Sequence, residues 1–325
     1  MKGNCWKFGL AAAMAILSAP FASAQQAPDA DELAALCHGA QSICISATIP
    51  TIGTQALQSW MSPDVGAAWA KGYKGKGATI TMVDDFSSAT RFYGNFGIGL
   101  QYQRHGEWTR EEASMIAPSA YIRSKDFTTG SAVSLAYGLN VLNLSYGMYA
   151  SQGYSVSQIG WAPEESSIIS YASRGLAVVS KAAGNDSVAV GGAAGGKQDY
   201  LDLALIGKPS AIFVGALSSN GTTSNPAQLA WYSNYAGSDP RVQSHFLVVG
   251  VAGDTTGLYG TSFAAPIISG YAAIIGSKFT SATPIQITND LLNTARTDTL
   301  VNYSPSVYGK GEASLSRALA PVSIR

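Results

Sequence analysis

Residues 260–276 constrain the fold of this chain more than any other stretch. Gly260-Thr261-Ser262-Phe263-Ala264-Ala265-Pro266 is a turn of small residues running into a helix start. Ile267-Ile268-Ser269-Gly270-Tyr271-Ala272-Ala273-Ile274-Ile275 continues it without a charged position. A helix that is apolar on every side offers no face to water and must be enclosed. Its Ala and Gly positions let neighbouring backbones come close. A serine in its first turn also lies at the positive end of the helix dipole, beside N–H groups that have no intrahelical acceptor. That setting suits a nucleophile whose substrate develops an oxyanion. Taken alone, Gly-Thr-Ser reads equally well as a helix N-cap.

The enclosing layers come from strands that alternate with helices. Apolar runs at 78–83, 120–123, 141–145, 177–183, 211–216 and 246–250 read as strands. Helices are expected at 63–70, 107–116, 130–138, 164–174, 262–276 and 285–294. This alternation predicts an α/β fold: a doubly wound, mostly parallel central sheet with helices on both faces, in three layers. In such sheets the site lies at the carboxyl ends of the strands.

The N-terminus reads as an export signal. Lys2 and Lys7 precede an apolar run at 8–21, too short to span a bilayer, and Ala22-Ser23-Ala24 is a small-x-small cleavage site. The expected organisation is a signal peptide at 1–24, an N-terminal extension at 25–54 and one large domain at 55–325. Export is to the periplasm or beyond the cell. No later segment has the length and apolarity of a membrane helix. Cys5 leaves with the signal, so Cys37 and Cys44 remain as an even pair, expected as a disulfide closing a small loop. A metal pair with His38 lacks further ligands. Lys and Arg balance Asp and Glu at 20 each, which argues against nucleic acid or an anionic membrane as the main partner.

Four further positions are candidates for chemistry. Asp84 directly follows the 78–83 strand, the usual place for a functional carboxylate. His105 is one of three histidines, and it precedes a helical stretch that ends in Ala117-Pro118-Ser119-Ala120. Asn185 ends Val178-Val179-Ser180-Lys181-Ala182-Ala183-Gly184-Asn185, a pattern that a left-handed turn would also suit. Ser145-Tyr146-Gly147 follows the 141–145 strand and would also suit a core strand with a turn at Gly147.

Together these segments resemble the subtilisin-like serine peptidases over about residues 55–319. The resemblance is carried by Gly260-Thr261-Ser262 with its following Pro266, by Ala183-Gly184-Asn185, by Asp84, and by His105-Gly106 with its downstream Ala-Pro-Ser-Ala. Weaker echoes lie at 230–237 and 308–313. The resemblance implies a secreted serine endopeptidase acting on proteins or peptides through an acyl-enzyme. Ser262 would be the nucleophile, His105 the base and Asp84 its orienter, with Asn185 in the oxyanion hole. Ser145, Tyr146 and Gly147 would line the substrate by strand addition. The chain order Asp, His, Ser also separates it from α/β-hydrolases. A monomer without a cofactor is expected. Calcium is common in such proteins, but no acidic run places it here.

The chain departs from the family pattern in two places. Asp85-Phe86 replaces a Ser or Thr followed by Gly, and Glu107-Trp108-Thr109-Arg110-Glu111-Glu112 replaces small apolar residues. A helix at this place should be buried, so its polarity implies local exposure or internal ion pairing. The alternative reading is therefore a catalytically impaired fold that binds peptides or protein partners. The glutamate-based relatives, the sedolisins, fit less well, because they lack the histidine base and carry aspartate where Asn185 stands. Gly191, Gly196 and Lys197 are spaced like a phosphate loop, but Gln198 stands where Ser or Thr must bind magnesium, so a Gly-rich surface loop is expected.

Overall fold

The computed structural model describes the backbone of residues 6–9 and residues 56–324. The expected cleavage site, the 25–54 extension and the Cys37–Cys44 disulfide lie outside the described residues.

Six strands form the central sheet: β2 (Ala78–Asp84), β5 (Tyr121–Asp126), β6 (Leu139–Leu144), β8 (Val178–Ala182), β11 (Ala211–Leu217) and β12 (Phe246–Gly250). Their spatial order is β12-β11-β8-β6-β2-β5, and every pairing is parallel. All residues of β2, β8, β11 and β12 are buried. Strands covered on both faces need apolar residues at nearly every position, which explains the unbroken runs in the sequence.

Successive side chains on β8 point to opposite layers. Ser180 Oγ donates to Ala265 O of the small-residue helix, while Lys181 reaches Asp199 and Asp202 on the other face. The first layer holds α2 (His105–Ile116) and α5 (Ala265–Lys278), and the second holds α3 (Pro163–Arg174) and α4 (Tyr200–Leu205). Residues 265–275 of α5 are buried without exception. Gly270 is required there, since a Cβ at that position would lie 2.5 Å from Cγ2 of Ile116 on α2. The three-layer α/β architecture is thus the one expected.

Two parts differ from expectation. Residues 130–138 form no helix. Their backbone is held by side chains instead: Val133 N–H donates to Ser167 Oγ at 3.0 Å, and the Asn140 carboxamide bonds both N–H and C=O of Ala136. With those groups satisfied, an uncapped Ser/Ala run gains nothing from helix formation. The second difference is a separate antiparallel sheet, ordered β1-β7-β10-β9. It contains β1 (Trp6–Gly9), β7 (Tyr146–Ser151), β9 (Ala193–Ala194) and β10 (Lys197–Asp199). The Gly-rich 191–197 stretch contains β9 and, at Gly195-Gly196, the turn into β10. A hairpin of β3 (Phe92–Gly94) and β4 (Gln101–Gln103) bridges β2 and α2.

Candidate active site

Asp84 is the last residue of β2 and is fully buried. Its Oδ1 accepts from Asp85 N–H at 2.7 Å and lies 2.6 Å from His105 Nδ1. Its Oδ2 accepts from Thr109 Oγ1 at 2.9 Å. Helix α2 begins at His105, so Thr109 is one turn on and shares its face. Arg104 and Glu107 close the helix start, with Glu107 Oε2 accepting from Arg104 N–H at 2.8 Å. Gly106 N–H donates to Asp85 O at 3.0 Å. A Cβ on residue 106 would sit 2.6 Å from that oxygen, so the helix seats against the end of β2 only with glycine there.

The unusual Asp85-Phe86 pair has a local structural role. Asp85 Oδ1 accepts from the N–H groups of Ser87 at 3.2 Å and Ser88 at 2.9 Å, turning the chain away from β2. The polar residues of α2 follow both expected routes, with one exception. Arg110 is exposed, and Glu107 and Glu111 bond Arg104 and Gln103. Glu112 is the exception: it is 2% exposed, and its Oε2 has no hydrogen-bond partner among the described residues.

Burial works to lower the His105 pKa, but the charge and hydrogen bond of Asp84, with Asp85 adding, hold it above the ordinary imidazole value. The ring lies 5.8 Å from that of Phe263, the residue after Ser262, and 6.4 Å from that of Phe92 on the hairpin.

Ser262 stands in a single 3₁₀ turn, Thr261–Phe263, just before α5. Gly260 enters that turn at φ 130°, a region that side chains other than hydrogen rarely adopt. Ser145 braces the turn, its Oγ donating to Ser262 O at 2.9 Å. Ser262 Oγ makes a long contact of 3.4 Å to Ser145 O. Nε2 of His105 has no hydrogen-bond partner among the described residues. The imidazole packs near the residue after the serine and makes no hydrogen bond to Ser262 Oγ. Such links are often long or misaligned without substrate and tighten when it binds.

Asn185 follows β8. Its Oδ1 accepts from Thr261 N–H at 2.8 Å and from Thr261 Oγ1 at 3.0 Å. This bonding turns the donor end of the carboxamide away from Thr261. Gly184 N–H donates to Thr261 Oγ1 at 3.1 Å, tying the end of β8 to the serine turn.

Ser145 bonds the Ser262 turn and directly precedes β7, which begins with Tyr146 and Gly147. Tyr146 is fully buried and its hydroxyl donates to Glu165 Oε1 at 3.3 Å, so its side chain faces the interior. The outer edge of β7 pairs antiparallel with β1, Gly147 opposite Phe8 and Tyr146 opposite Gly9. That edge therefore accepts an extended segment.

Asp84, His105, Asn185, Ser262 and Ser145 thus come together from five places in the chain. His245 does not join them, its Nδ1 lying 3.1 Å from Ser244 Oγ. Thr109 escaped the sequence reading, and its only signal there was its spacing of four from His105. Among the described residues no group of three or more His, Cys, Asp or Glu could hold a metal ion. No described helix is long and apolar enough to cross a membrane.

The fold and this arrangement define the class, a three-layer α/β protein with its polar centre at the carboxyl ends of β2 and β8. The subtilase family (Peptidase S8) model matches residues 109–311. The chain belongs to that family of serine peptidases. The matched span includes Asn185 and Ser262 and begins after Asp84 and His105, where the departures are concentrated. Among solved structures, the prenylagaramide maturation protease PagA is similar at TM-score 0.51 and 17% identity, covering 79% of this chain and 98% of that one. MycP1 from the ESX-1 type VII secretion system is similar at TM-score 0.52 and 18% identity, covering 86% and 90%. At these identities the likeness shows the shared fold. No curated protein matches the chain.

Proposed function

We propose that this chain is an exported serine endopeptidase that cleaves proteins or peptides as a monomer, without a cofactor. The observation that carries this reading is the buried Asp84–His105 contact of 2.6 Å, with the imidazole ring against Phe263, the residue after Ser262. Once the export signal that carries β1 is removed, an extended substrate adds to the β7 edge that β1 occupies and brings a carbonyl to Ser262. Ser262 Oγ turns from Ser145 O to His105 Nε2 and attacks as its proton passes to the imidazole. Asp84 holds the Nδ1–H tautomer and stabilises the imidazolium, and Thr109 and the Asp85 N–H hold Asp84. Asn185 and the Ser262 N–H bind the oxyanion. The imidazolium then protonates the leaving amine, and water repeats the sequence on the acyl-enzyme.

One observation favours a second reading. Ser262 Oγ contacts Ser145 O and not the imidazole, as it would in a fold that binds peptides without cleaving them. Labelling with a fluorophosphonate probe separates the two. The peptidase reading expects labelling of the wild type, its loss in Ser262→Ala and a sharp fall in His105→Ala. A folded wild-type protein that does not label leaves the peptide-binding reading.

A further inference from the structure

Two walls flank the turn that carries the buried Ser262. One is Ser145 with the first residues of β7, Tyr146 and Gly147, and the other is Ala182 at the end of β8 with Ala183 to Asn185 following it. Both walls bond to the serine turn. A peptide extended along β7, with its carbonyl at Ser262, directs the side chain of its acyl residue between them.

That space already holds an aromatic ring. Tyr149 lies on the same face of β7 as Gly147, and its side chain folds back over that glycine. A Cβ on residue 147 would lie 2.5 Å from Tyr149 Cε2 and 2.6 Å from Asp199 Oδ2. On its other side the Tyr149 ring packs against the Ala182–Ala265 pair, one residue from the end of β8 and the other from the first turn of α5. We propose that Tyr149 fills the acyl-side pocket between these walls, so that the enzyme cleaves after small residues such as Gly, Ala and Ser. This inference rests on the peptidase reading and adds its substrate class.

The ring is built in and does not swing as a gate. Asp199 Oδ1 accepts from Met148 N–H at 2.8 Å and from Leu201 N–H at 3.0 Å, while its Oδ2 bonds Lys181 Nζ at 3.1 Å. The backbone on either side of the ring is thereby tied to β8 and α4. Burial, and then the charges of Asp199, Asp186 and Asp202, keep the phenol neutral. Moving the ring outward to admit a large side chain would pull it off Ala182 and Ala265 and leave Asp199 without its apolar cover. A volume mismatch of one methylene in a tight pocket already discriminates by about 10- to 200-fold.

The test is kcat/KM on one peptide series that differs only at the acyl residue: Gly, Ala, Val, Leu, Phe. The wild type is expected to prefer Ala over Phe by at least about tenfold. Tyr149→Ala is expected to shift that ratio towards Phe by a similar factor, and Tyr149→Phe to keep the wild-type order, since ring volume is the cause. The wild-type series stands without the variants should Tyr149→Ala fail to fold. A wild type that labels with the fluorophosphonate but cleaves after Phe as readily as after Ala overturns the pocket assignment and leaves the peptidase reading intact. A wild type that neither labels nor cleaves any member overturns both.

Discussion

Thr109 shows how one hydroxyl can hold a buried carboxylate in place. Asp84 is fully buried and has three donors around its carboxylate: the Asp85 N–H, His105 Nδ1 and Thr109 Oγ1. A hydrogen bond to a charged group contributes about 1.5–3 kcal/mol, and each 1.4 kcal/mol is tenfold in rate. Thr109→Val keeps the shape and removes the donor. We expect kcat to fall by about 10- to 100-fold with KM little changed, because the residue touches no substrate. Thr109→Ser should recover most of the loss. Equal kcat in wild type and Thr109→Val would show that Asp84 is held well enough by its other partners. The raised His105 pKa acts in the same steps. In the proposed mechanism the base must be neutral, so kcat/KM should rise with pH through an apparent pKa above that of free imidazole.

Among the secondary-structure elements, the junction of β8, β10 and α4 depends on one buried cation. Lys181 is fully buried, with Asp199 Oδ2 at 3.1 Å, Asp202 Oδ1 at 3.0 Å and Ala182 O at 2.7 Å from its Nζ. Burial and the neighbouring Asp199 charge push Asp202 up to about 8, while the two carboxylates keep Lys181 protonated against its own burial. Removing one partner of such a group leaves buried charge uncompensated and costs about 3–5 kcal/mol. Lys181→Met should therefore lower the urea midpoint by a matching amount. The change should also loosen β7, because Asp199 carries the Met148 N–H bond. An unchanged midpoint would mean that the cluster is replaceable by apolar packing.

For the whole molecule, several buried carboxyls set the response to pH. Burial pushes Glu112 well above the usual carboxylate range and raises Asp290 to about 6, and Asp202 stands at about 8. A carboxyl with a higher pKa in the folded state binds its proton more tightly there than in the unfolded chain. Stability then falls as pH rises from the unfolded value through the folded one. His105, whose pKa is raised, contributes with the same sign. His245, whose pKa burial lowers, opposes it only on the acid side. The melting temperature is expected to decline between about pH 6 and about pH 8, and Glu112→Gln should make that decline shallower. A melting temperature that is flat or rising over this range would contradict the assignment of these groups as buried acids.

The residue types alone determined the layered sheet and the helix at its centre. Continuous apolar strands and a charge-free run of small residues can be satisfied only by burial on both sides. They also placed Asp84, Asn185 and Ser262 at the end or start of an element, because that pattern is local. The tertiary structure decided what depends on contacts between distant segments. The pairing of Asp84 with His105 needed β2 and α2 side by side, and Thr109 became a partner only there. Lys181 sits in a strand that reads as apolar, and its carboxylates come from the separate stretch at 199–202. Tyr149 looks like any strand tyrosine until Gly147, Ala182 and Ala265 are folded around it. Periodicity reports which face a residue takes, and the neighbour on that face is set by chain crossings that no local pattern encodes.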